Sequence, residues 1–105
     1  MSRLEIHHHG QVVKVEALDS MVEALSVVMQ PALTKFDGLI IDGLAADSAD
    51  APDDTMMSLW VSSAAIIKFI YRPNADPEAT KKHVEVMNAS LERSGRIYFS
   101  SKPKH

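Results

Sequence analysis

Apolar residues recur at helical spacing in two stretches of this 105-residue chain. The first is Met21, Ala24, Leu25, Val28 and Met29, and the second is Ala79, His83, Val84, Met87 and Leu91. Ser20 and Glu23 read as a capping box ahead of the first stretch, in which serine and glutamate each satisfy a free backbone N–H at the helix start. Pro31 lacks a donor and clashes with the preceding turn, so this helix is expected to end or kink near Gln30, with Leu33 and Phe36 open to a restart. The second stretch is the better signalled. Asp76 suits the cap, Pro77 the first helical position and Glu78 the positive end of the helix dipole, while Gly95 sits where a left-handed terminus belongs. Its outer side carries the pairs Glu78–Lys82 and Lys81–Glu85.

Strand-like patterning is shorter. In "RLEIHHHGQVVKVEA" two extended pieces meet at Gly10, as a hairpin or one long strand. In the second piece Val13 and Val15 share a side with Gln11, opposite Val12, Lys14 and Glu16. "FDGLIIDGL" holds two glycines that weaken a helix, and Leu39-Ile40-Ile41 suits a short buried strand, although Leu33, Phe36, Ile40 and Leu44 also fit a helical spacing. "RIYFSS" reads as a short final strand before a basic tail, 101–105.

The segment "MMSLWVSSAAIIKFIYR", 56–72, is apolar nearly throughout. It follows a polar acidic loop, 45–54, that offers Asp53 and Asp54 as helix caps, and it stops before Pro73. Read as a helix, it is apolar all round, interrupted only by Ser58, Ser62, Ser63 and Lys68. Crossing a bilayer takes about 20 apolar residues, and this run is shorter and contains Lys68. A three-helix domain rarely surrounds such a helix on every side with its own chain, so one side is assigned to the core and another to a second chain, a wholly internal core helix being the alternative. Met56, Met57, Leu59, Trp60, Ile66, Ile67, Phe69 and Tyr71 are then the partner-binding residues, aromatic and methionine side chains being suited to adaptable interfaces.

The fold expected from this patterning is a single, mainly α domain over 1–105. It has three helices at 20–35, 53–72 and 76–94, with short extended segments at 3–16, 38–42 and 96–101 packed at its edge. An α+β arrangement is the alternative.

Composition narrows the chemistry. Without cysteine there are no disulfides, thiolate metal sites or thiol catalysis. The first twenty residues lack an apolar secretory core, so a cytoplasmic location is expected. The net charge of −3 is unevenly spread: residues 1–65 hold three Lys/Arg against ten Asp/Glu, and residues 66–105 hold eight against four. The basic residues are scattered through a helix and the tail rather than interleaved with aromatics, so direct nucleic-acid binding is not expected. The aspartates between Asp37 and Asp54 read as a solvated loop or as an acidic rim that orients a basic partner.

Candidate chemistry is thin. On one strand His7 and His9 would point to the same side about 7 Å apart, a weak metal site that needs a further ligand such as Glu5 or His83. His83 has no recognisable nucleophile or carboxylate beside it in sequence. The serine pairs lack a nucleophile elbow, and the Asp-Gly dipeptides lack the spacing of a phosphate loop. No enzyme, metal or cofactor is therefore expected. The function expected is a small cytoplasmic regulatory or inhibitory protein, antiactivator-like, that occupies a partner protein's surface and is homodimeric when free. The competing readings are a small-ligand binder or cofactor-free enzyme with a pocket lined by Met87, Trp60 and a histidine, and a structural subunit of a larger assembly.

Overall fold

The computed structural model describes residues 2–35, 37–45 and 56–99. The acidic loop, the basic tail and Phe36 lie outside the described residues. The elements run β1 (Ser2–His8), β2 (Gln11–Ala17), α1 (Asp19–Lys35), β3 (Gly38–Ala45), β4 (Met56–Ser62), β5 (Ile66–Ile70), α2 (Pro77–Ser94) and β6 (Arg96–Tyr98). Two three-stranded sheets result: sheet A in the order β2-β1-β5, and sheet B in the order β4-β3-β6. Sheet A is antiparallel, whereas in sheet B β3 pairs antiparallel with β4 and parallel with β6. The fold is α+β, and the mainly α three-helix expectation is overturned.

The overturned element is the helix at 53–72. Residues 56–70 form two strands belonging to different sheets, joined by a turn at Ser63–Ala65. Ser62 organises that turn: its hydroxyl accepts from the Ala64 N–H at 3.1 Å and its carbonyl from the Ala65 N–H at 3.1 Å. Burial then alternates residue by residue. Met57, Leu59 and Val61 turn inward on β4, as do Ile67 and Phe69 on β5 and Tyr71 just beyond it, while Met56, Trp60, Ile66 and Ile70 turn out. Period-two burial was invisible because both faces of these strands are apolar, and the Ser-Ser-Ala-Ala turn carries no glycine, proline or asparagine.

The central helix is α1. It packs against β1, β3, β5 and α2, and it buries Met21, Val22, Ala24, Leu25, Val28, Met29 and Ala32. Two of its readings need correction. The helix starts at Asp19, so Ser20 lies inside the first turn and not at the cap. Glu23 turns away from the helix start, its carboxylate accepting from the Asn74 N–H at 3.2 Å and the Thr80 hydroxyl at 3.3 Å, which ties α1 to the start of α2. The helix runs through Pro31 to Lys35, the end expected for it, so of the two outcomes offered for Pro31 a stop near Gln30 does not occur. Both Pro31 and Val27, whose carbonyl loses its helical donor, lie on the exposed side, so the missing bond does not fall in the core.

The expected ends of the last helix and, of the two options for residues 3–16, the hairpin are what the structure shows. Strands β1 and β2 form a hairpin in which Val13 and Val15 face inward and Val12, Lys14 and Glu16 outward. Asp76 caps α2 by accepting from the Ala79 N–H at 3.2 Å, and Gly95 ends it in the left-handed region, donating to the Leu91 carbonyl at 2.8 Å. Met87, Ile97 and Phe99 close the core from the C-terminal side.

Strand β3 changes register between Ile41 and Leu44, so both of these residues are buried although an odd number of positions separates them. Gly43 makes this bulge with φ +85°, and a Cβ there would lie 2.8 Å from the Tyr98 ring and 3.0 Å from the Phe99 carbonyl. Gly43→Ala is therefore expected to lower stability by about 1–3 kcal/mol. Gly10→Ala, also at positive φ but with nothing within 4 Å, is expected to cost less. Urea unfolding of the two variants checks the order.

Candidate functional site

The two sheets have unlike outer faces. On sheet A the outward positions are Glu16, Lys14 and Val12 on β2, Arg3, Glu5 and His7 on β1, and Ile70, Lys68 and Ile66 on β5. Glu5 sits at the centre, buried among them: it is ion-paired to Arg3, has the His7 Nε2 at 3.2 Å, and stands opposite Lys14 and Lys68 in the strand pairing. Arg3, Glu5 and His7 thus form a paired charge cluster in the middle of this face, with the exposed side chains of Val12, Ile66 and Ile70 beside it.

The outer face of sheet B is aromatic and nearly neutral. Trp60 on β4 pairs with Ile40 on β3, which pairs in turn with Arg96 on β6, while Asp42 pairs with Tyr98. Trp60 is 66% exposed, Met56 59% and Tyr98 54%, values that put most of three large side chains in water. Each ring lies across a glycine of β3. The Trp60 indole covers Gly38, where an added Cβ would stand 2.7 Å from Cζ2, and the Tyr98 ring covers Gly43. Between the rings, Asp42 accepts hydrogen bonds from the Ser58 hydroxyl and from Arg96 Nη1, the latter at 3.0 Å.

These contacts set the charge state of both carboxylates. The Ser58 hydroxyl, and then Arg96, hold Asp42 below its ordinary value of 3.8. Arg3, and then His7, hold Glu5 below its ordinary value of 4.5 against the opposing effect of burial. A carboxyl that ionises more readily folded than unfolded contributes stability in full above its unfolded value and loses it as the pH falls through the folded one. Stability is thus expected to drop on acidification below about pH 4.5, and Glu5→Gln with Asp42→Asn should flatten that part of the profile, as read by thermal melts across pH.

The eight residues predicted to bind a partner do not share one face. Met57, Leu59, Ile67, Phe69 and Tyr71 pack against the core, Met56 and Trp60 stand on the outer face of sheet B, and Ile66 stands on that of sheet A. Sequence reasoning missed Ile40, Asp42, Ser58, Arg96 and Tyr98, which complete the sheet B face. Alternation in "LIID" and "RIY" was the available signal.

The histidines are also separated. His9 falls in the β1–β2 turn with φ +50°, so it does not share a strand face with His7; its ring stands edge-on to His8, with centroids 4.0 Å apart. Among the described residues no group of three His, Asp or Glu side chains is placed to hold a metal ion.

Among the described residues, Met87 and Trp60 border two different clefts, each with a histidine. His83 and Met87 border a cleft of about 250 Å³ with Met21, Val86 and Tyr98, whereas Trp60 borders another of about 180 Å³ that includes His8 and Leu59. A groove of about 400 Å³ between the helices is lined by Val28, Pro31, Ala32, Lys35, Asn88, Leu91 and Glu92. No described helix is long and apolar enough to cross a membrane. No protein-family model matches this chain, and neither its sequence nor its fold has a significant match among curated proteins or solved structures.

Proposed function

We propose that this chain is a small cytoplasmic protein-binding regulator that acts by occupying a partner protein's surface through the outer face of sheet B. The observation that carries this reading is the pair of aromatic rings, Trp60 and Tyr98, laid over β3 glycines and left more than half exposed. Trp, Tyr, Met and Arg are the residue types enriched at interface centres, and Met56, Trp60, Arg96 and Tyr98 supply one of each on a single face. A flat face of this kind suits a macromolecular partner better than a small ligand, which concave pockets enclose. The polar trio of Ser58, Asp42 and Arg96 would set orientation, each group already satisfied and able to re-pair across an interface.

The test is affinity capture from the native host with the wild type and Trp60→Asp as parallel baits, each captured protein being identified and its complex remade from purified components. A defined complex formed by the wild type and lost with Trp60→Asp is the expected result. Complexes that form equally with both baits would place the binding surface elsewhere.

A further inference from the structure

We infer that, in the absence of another partner, the outer face of sheet B is covered by a second copy of the same chain, packed face to face about a two-fold axis. The inference rests on the reading of that face as a binding surface. Its charge pattern selects the occupant. Among the described residues the central charges are one acid and one base, Asp42 and Arg96, 3.0 Å apart, so together they offer no net charge to a strongly acidic or basic partner. A face with one group of each sign is complementary to itself, because a two-fold axis sets each Arg96 against Asp42 of the other copy. That exchange needs the axis to run diagonally across the face. The strands of the two copies then cross steeply, as in the orthogonal class of sheet packing. Trp60 on one side and Tyr98 on the other surround the exchanged pair with apolar surface.

Pairing through the β5 edge is less suitable. An antiparallel two-fold about its middle residue sets Lys68 against Lys68, the like-charge arrangement that blocks edge association. Sheet B offers a face roughly 23 by 14 Å. That is small beside the ~800 Å² per partner of a standard interface, so the dimer is reversible and can give way to a tighter partner.

Analytical ultracentrifugation over a concentration series reaching roughly 100 μM tests the inference. The wild type is expected to move from one to two chain masses across the series. Asp42→Arg and Arg96→Asp, each alone, place like charges across the interface and should weaken the dimer at least about 30-fold. An equimolar mixture of the two variants should return to two chain masses, because a basic face then meets an acidic one. If either variant fails to fold alone, Trp60→Asp and Tyr98→Glu carry the same expectation of a monomer. A wild type that stays monomeric throughout, a dimer indifferent to these substitutions, or a mixture that remains monomeric would each overturn the inference. The first of these, together with a captured partner that depends on Trp60, would remove the homodimer and leave the protein-binding reading standing. A dimer that behaves as expected without any such partner would do the reverse.

Discussion

Phe99→Ala is expected to cost about 3–5 kcal/mol, a large share of the roughly 5–15 kcal/mol that holds a domain of this size together. Phe99 is fully buried although it follows the last strand, and its N–H donates to the Asp42 carbonyl at 2.8 Å. It therefore joins the end of the described chain to the bulged middle of β3 and fills the core beside Leu44 and Ile97. Removing the ring leaves a cavity that the surrounding core, fixed by its other contacts, closes only in part. Urea unfolding gives the loss directly. A cost under about 1 kcal/mol would mean that the C-terminal segment is not part of the core.

Trp60→Asp is expected to produce the opposite profile. Its unfolding free energy should stay within about 0.5 kcal/mol of the wild type, because the indole rests on the surface of β3 and buries little. Binding through sheet B should fall at least about 30-fold, the equivalent of the 2 kcal/mol that marks an interface anchor. The contrast separates the two architectures of this segment. On a central helix the same substitution would bury a charge and unfold the domain, whereas on an edge strand it meets water. Calorimetry of the variant beside the wild type, followed by titration against the isolated partner, reads both quantities.

The ends of α2 and the two extended pieces around Gly10 were legible because their signals are local. Asp76, Pro77 and Gly95 each impose a backbone geometry within one turn, and His9-Gly10 reverses the chain between two alternating stretches. Nothing distant is needed to interpret them. Pro31 shows the limit of a local rule: it left an end or a kink open, and the burial of Met29 and Ala32 on either side carries α1 through it to Lys35.

The candidate site was not legible for a related reason. Trp60, Asp42 and Arg96 lie far apart in the chain and meet only because β3 is the middle strand between β4 and β6. What the sequence by itself determined was the two helices, the extended pieces on either side of Gly10, the absence of cysteine chemistry and the apolar character of residues 56–72. Only the tertiary structure decided that those residues are strands. An apolar run carries no period of its own when both of its faces are apolar. Pairing with β3 in one sheet and β1 in the other supplied the period, and with it the choice of which residues face the core and which face outward.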